Sequence, residues 1–230
     1  SFPLNKLEIF ESFQSIANNI NAKFSINYSD EIPNVAIFVS KQNHCLIDLL
    51  WRVRNGELRM KVPLIISNHP DLEGLAKDFN AQFIYYDSKN SDKSQVEKMI
   101  SDIEGKFNSY PSVLINNAMT DYIFNGDARK FADQISWEEI SDHLDVTLKG
   151  SLNLIQSLIP SMKSNAYGRI INIGTNLVQN PVVPYHDYTI AKAALLGLTR
   201  TFAKDLGSMG ITVNMVSGGL LKVTDASAAT

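Results

Sequence analysis

Two rhythms of apolar residues alternate along the chain. One consists of short, nearly unbroken runs: VAIFVS (35–40), VPLIIS (62–67), QFIYYD (82–87), SVLINNA (112–118), GRIINIG (168–174) and ITVNMVS (211–217). Runs of this length, rich in β-branched residues, predict strands buried on both faces. In the other rhythm the apolar positions return every three or four residues, the period of a helix face. HCLIDLLWRVRNG (44–56) reads as a helix with a glycine stop, and DLEGLAKDFN (71–80) as a short helix capped by Asp71. SDKSQVEKMISDIEGKF (91–107) reads as an amphipathic helix with a serine cap. A long helix is predicted from about Trp137 to Met162 on the ladder Leu144, Leu148, Leu152, and an alanine-rich one from about Tyr188 to Leu206.

This alternation predicts an α/β fold: a doubly wound, Rossmann-like parallel sheet of about six strands with helices on both faces. Residues 34–230 are expected to share one continuous sheet. In such sheets ligands lie beyond the carboxyl ends of the strands. Those ends carry Ser40, Asn68, Asp87, Asn116, Asn117, Thr175 and Ser217, a polar rim around an apolar interior. MTDYIFNGDARKFADQ (119–134) follows neither rhythm and is expected to be a loop near the crevice. The first 33 residues stand apart. Phe10, Phe13, Ile16 and Ile20 share one helix face, yet a helix before the first strand has no place in a six-strand plan. It is read as an extra element or the remnant of another domain.

Composition narrows the function. A net charge of −3 with no basic block argues against nucleic acid and against a membrane surface. No apolar run is long enough to span a bilayer, and no signal-peptide pattern opens the chain. Cys45 is the only cysteine, which excludes an internal disulfide and fits a reducing, cytoplasmic setting. It is read as a small buried apolar residue rather than a nucleophile. No metal site is expected. The chain begins with serine rather than methionine, which fits a piece of a longer protein.

The candidate chemistry lies in NIGTNLVQNPVVPYHDYTIAK (172–192). Tyr188 and Lys192 are four residues apart, so in a helix they lie one turn apart on one face. An ammonium beside a phenol favours the phenolate and would lower its pKa from about 10. A phenol so tuned can pass a proton near neutral pH. Thr175, at the end of the fifth strand, would place a hydroxyl at the same rim. Spacing alone also admits a tyrosine on a core face and a lysine reaching solvent.

The surrounding strings decide between these readings. LINNA (114–118), GRIINIGT (168–175) and YTIAKAALLGLTRTFAKDLGSMGITVNMVSGG (188–219) occur in order and at the spacing of the short-chain dehydrogenase/reductase family. From Ser91 onward the chain resembles that family, particularly its 3-oxoacyl-carrier-protein reductase branch. The resemblance implies hydride transfer between NADP or NAD and a carbonyl or alcohol, such as a 3-oxoacyl thioester. It implies Tyr188 as acid/base, Lys192 as its partner and ribose ligand, and Thr175 where serine is usual. Thr147 falls at the family's helix asparagine. Asn116, Asn117, Ala118 and Gly219 fall at its cofactor-lining strand ends, with Met119 in place of a glycine. A small-molecule carbonyl or acyl-thioester substrate is implied, as is a homo-oligomer formed through the long helix and the tyrosine helix.

The family's glycine-rich phosphate loop is missing. The first strand runs into SKQNHCLIDLL (40–50), which contains no glycine, so every residue there carries a Cβ. VAIFVSKQNHCLIDLLWRVRNGELRMKVPLIISNHPDLEGLAKDFN (35–80) instead resembles the formyltetrahydrofolate deformylase family. Residues 1–33 would fit the end of that family's ACT domain. That family's catalytic strings are not found downstream. His44 and His69 are read as capping or packing residues, His143 as solvent-facing, and His186 as at most a substrate contact. The chain thus reads as a deformylase-like part (34–90) joined between about Asp87 and Ser91 to a reductase-like part (91–230). Three readings follow: a short-chain oxidoreductase, a hydrolase releasing formate from 10-formyltetrahydrofolate, or an inactive hybrid.

Overall fold

The computed structural model describes residues 5–22, 24, 26, 28, 30, 32–39, 43–85, 92–120, 122 and 124–219. Its strands are β1 (Asn34–Val39), β2 (Lys61–Ser67), β3 (Gln82–Tyr85), β4 (Val113–Asn116), β5 (Gly168–Thr175) and β6 (Ile211–Gly218). All pairings are parallel, in two ladders ordered β1-β2-β3 and β4-β5-β6. Ile37 stands opposite Ile65 and Ile65 opposite Phe83 in the first; Leu114 stands opposite Ile170 and Ile170 opposite Val213 in the second.

One continuous six-stranded sheet was expected, and here the structure differs. β1 approaches β4, but no ladder joins them among the described residues. β4 is only four residues long, and β1 is already irregular against β2 between Asn34 and Ala36. So short an edge offers few amides to pair. Side chains make the join instead. Leu64 and Ile66 of β2, Leu114 of β4, Ile170 of β5 and Val213 of β6 belong to one buried cluster. It is closed by Val96, Met99, Ile100 and Ile103 of α4 (Lys93–Phe107) and by Ile155, Leu158 and Met162 of α6 (Ser151–Ser164). Each such side chain contributes roughly 1.5–3 kcal/mol by leaving water.

The other face of the first ladder is covered by α2 (His44–Arg54) and α3 (Glu73–Asp78), through Leu46, Leu50 and Ala76 on Ile65. The corresponding face of β4–β6 is open among the described residues, with Val113 and Ile115 each 49% exposed. Helices on both faces, as expected, therefore describe the first ladder only.

Helix starts follow the local chemistry. α1 (Lys6–Asn19) carries a reciprocal Asn5–Glu8 capping box, and α4 a reciprocal Asp92–Gln95 box. Asp92, not Ser91, is thus the cap; Ser91 lies outside the described residues. Asp71 sits inside the short turn Pro70–Leu72 rather than capping it, because His69 holds the extended position before Pro70. The predicted long helix exists as α5 (Trp137–Leu144), a π-helical turn (Asp145–Gly150) and α6. Ser136 and Glu139 cap its start reciprocally. α7 (His186–Leu206) follows, with Tyr188 in its first turn.

Candidate active site

Three side chains meet where β5 ends and α7 begins. Thr175 is buried, and its Oγ1 accepts the Leu177 N–H at 3.3 Å, which tightens the turn after β5. One helical turn after Tyr188, Lys192 is 3% exposed and donates from Nζ to the Ile173 carbonyl at 2.7 Å. The same Nζ lies 5.7 Å from the centre of the Tyr188 ring. The three sequence-predicted groups are therefore brought together.

Their electrostatics differ from expectation. Burial pushes the Tyr188 phenol above its ordinary range, and a hydrogen bond with Thr175 opposes that shift. Burial also lowers the Lys192 ammonium to about 8. The lysine was expected to lower the tyrosine; instead burial raises the phenol, and the opposing influence comes from the Thr175 hydrogen bond. Near neutral pH the site holds a protonated phenol above a cationic lysine. That is the form needed to donate a proton to a carbonyl oxygen.

An aromatic enclosure surrounds the phenol. Tyr122 stacks on Tyr188 with ring centres 6.0 Å apart and planes at 17°. Phe124 meets Tyr188 edge-on at 5.2 Å, and His143 at 6.5 Å. Asp187 ties the group together. Its Oδ1 accepts the Tyr122 hydroxyl at 3.1 Å and the Tyr188 N–H at 2.9 Å, and its Oδ2 lies 3.4 Å from His143 Nε2. Burial and the Asp187 charge both raise the Tyr122 phenol. His143 was expected in solvent; it is 4% exposed, because α5 packs against α7 along that side. Burial lowers its pKa, with Asp187 the principal opposing charge. Sequence reasoning missed this enclosure. Its only sequence signals were Tyr122 and Phe124 in a stretch without periodicity and a carboxylate next to Tyr188.

The remaining site residues divide. Thr147 is 2% exposed in the π-helical turn, which packs on α7, and its carbonyl accepts the Ser151 hydroxyl at 2.7 Å. Asn116 is engaged within the protein: its Nδ2 donates to Asn172 Oδ1 at 2.8 Å. Asn172 donates in turn to Thr199 Oγ1 at 2.8 Å, and Thr199 to the Leu195 carbonyl at 2.7 Å. Asn117 and Ala118 are exposed at the strand end, and Gly219 is exposed beside Asn176. Ser217 is also exposed, while Ser67 accepts the His69 N–H at 3.1 Å. Ser40 and Asp87 lie outside the described residues, as do the side chains of His44 and Cys45.

A nicotinamide dinucleotide can be tested against these groups. At its reacting end the fit is good. Lys192 has three ammonium hydrogens and one hydrogen-bond acceptor among the described residues, Ile173 O, so donors remain for ribose hydroxyls. At the pyrophosphate end the fit is poor. No glycine occurs between Val39 and Gly56, and Asn43 before α2 makes no side-chain cap.

Comparison with known proteins agrees with this division. The family profile for short chain dehydrogenase matches residues 56–230, and the chain belongs to that family. The match reaches back across strings that resemble the deformylase, as shared β-α-β spacing allows. The 3-oxoacyl-[acyl-carrier-protein] reductase FabG of Staphylococcus aureus (strain Mu50) is 36% identical over 141 residues, covering 59% of this chain and 53% of the reductase. Formyltetrahydrofolate deformylase of Synechocystis sp. is 47% identical over 83 residues, covering 36% of this chain and 29% of the deformylase. The chain therefore combines reductase-like and deformylase-like sequence and spans only part of each relative. The solved structure of ElxO with NADP bound superposes with a TM-score of 0.65 at 19% identity, over 83% of this chain and 74% of that one. That likeness is one of fold. Among the described residues, no helix is long and apolar enough to cross a membrane.

Proposed function

We propose that the chain carries the reacting half of a short-chain oxidoreductase site, which reduces a carbonyl or oxidises an alcohol. The observation that carries this reading is the buried Lys192 ammonium, 5.7 Å from the Tyr188 ring and fixed to Ile173 O. The ElxO structure holds NADP, and by that kinship the cofactor here is NADP or NAD. The nicotinamide would supply the hydride. Tyr188 gives its phenolic proton to the carbonyl oxygen, and the Thr175 hydroxyl donates a hydrogen bond to the same oxygen. The phenolate left behind lies beside the Lys192 charge, which stabilises it. Asp187 fixes the Tyr188 backbone and Tyr122, and the aromatic enclosure limits water at the phenol. Thr147 supports the site from the π-helical turn beneath it.

The relatives make a 3-oxoacyl thioester one reasonable substrate. Assembly through α5–α6 and α7, and a cytoplasmic location, are part of the same reading. The deformylase-like part (34–90) supplies strands and core rather than chemistry, and residues 1–33 are a separate extension. The test is oxidation of NADPH by an acetoacetyl thioester. Tyr188→Phe should lower turnover by roughly 10²–10⁴. Equal rates in both proteins would remove the tyrosine from the mechanism.

A further inference from the structure

A concavity lies next to the aromatic enclosure. It is ≈ 370 Å³ in volume and lies between residues 122–139 and the start of α7, with Arg129, Lys130, Glu139, Tyr185 and Asp187 on its wall. Tyr122 also lines it, and the same ring stacks on Tyr188. The cavity and the reacting tyrosine therefore share a wall.

Two groups on that wall are buried without a hydrogen-bond partner: Nε of Arg129 and the hydroxyl of Tyr185, whose side chain belongs to a residue 4% exposed. Buried polar groups left unpaired are rare and costly, so each would gain from an acceptor. The other charges are already engaged. Lys130 pairs with Glu139 at 2.7 Å, and Asp187 holds Tyr122, His143 and the Tyr188 amide. Arg129 is oriented but not neutralised. One terminal nitrogen donates to the Gly126 carbonyl at 3.1 Å, and the guanidinium lies 4.8 Å over the Phe131 ring. No carboxylate pairs with it among the described residues. Burial raises the Tyr185 phenol; the Arg129 charge opposes that shift, and the exposed Asp127 adds to it.

We propose that Arg129 and Tyr185 form a carboxylate-binding subsite, so that the carbonyl compound presented to Tyr188 also bears a carboxylate. A guanidinium and a hydroxyl donating to one carboxylate make charge-assisted hydrogen bonds, with the apolar parts of Tyr122, Ile135 and Pro184 beside them. A neutral ketone would leave both donors unpaired. The proposal rests on Tyr188 as proton donor and narrows the carbonyl substrates to those that also bear a carboxylate, which an acetoacetyl group lacks.

The test is calorimetric titration of succinate, which has no reducible carbonyl, against its neutral isostere succinamide. Succinate should bind saturably and succinamide at least about tenfold more weakly. Arg129→Gln should weaken succinate by about tenfold or more, and Tyr185→Phe, which removes one oxygen and keeps the ring, by several-fold. Absence of saturable succinate binding, equal binding of the two probes, or unchanged affinity in Tyr185→Phe would overturn the subsite. Should Arg129→Gln fail to fold, Tyr185→Phe alone decides. A chain that binds succinate but not NADPH keeps the subsite and loses the reductase reading; the reverse result sinks the subsite alone.

Discussion

The Lys192 ammonium donates to Ile173 O at 2.7 Å from a side chain that is almost wholly buried. Its folded pKa of about 8 lies below the ordinary 10.5, so between those values the unfolded chain binds more protons. This group's contribution to stability therefore rises with pH through that window, and below it the full burial cost applies. At about 1.4 kcal/mol per pH unit the cost is about 3 kcal/mol. Lys192→Met keeps length and removes the charge. The stability gap between the two proteins, measured by urea denaturation, should narrow or reverse in favour of the native lysine from about pH 8 to 10.5. A gap that stays constant would show that the ammonium is not desolvated.

His143 predicts the opposite end of the pH scale. Its folded pKa is depressed, mainly by burial, so the unfolded chain gains the proton more readily as pH falls below 6.5. The native protein should lose stability between about pH 6.5 and 5, and His143→Gln should lose less over the same interval. Parallel losses would place the acid sensitivity elsewhere.

The chain Asn116–Asn172–Thr199–Leu195 is a buried polar network whose members satisfy one another. Asn172→Ala leaves the Asn116 amide and Thr199 hydroxyl short of partners in an apolar core. It should cost about 2–4 kcal/mol, read as a lower denaturation midpoint with unchanged slope. A cost under about 0.5 kcal/mol would mean that water replaces the amide.

Gly210 holds φ at +77°, and a Cβ there would overlap the Ala166 carbonyl oxygen. Gly210→Ala should destabilise by about 2 kcal/mol or more and loosen the turn that delivers the chain into β6. A melting temperature unchanged from the native protein would contradict this packing.

Much of this was legible because strands and helices repeat their own periods. Leu64, Ile66, Leu114 and Ile170 lie in runs without polar alternation and are all buried. Tyr188 and Lys192 were legible because helical spacing fixes their relative direction. Non-local properties were not legible. Nothing in VLIN says that β4 stops short of pairing with β1, since pairing depends on both edges. His143 was read as solvent-facing on its helix, and only the packing of α5 on α7 buries it. Tyr122 and Phe124 sit in a stretch without periodicity, so their contact with Tyr188 has no local signature. The sign of the tyrosine shift was misjudged because burial, unlike sequence spacing, is a property of the whole fold.

The central claim is that Tyr188 and Lys192 form a nicotinamide-dependent proton-transfer site even though the β1–α2 connection lacks glycine. Titration of the native chain with NADPH, followed by nicotinamide fluorescence, tests it most directly. The account predicts saturable binding that weakens by about tenfold in Lys192→Met, through loss of a charged donor. No saturation at millimolar NADPH, or identical curves for the two proteins, would contradict it.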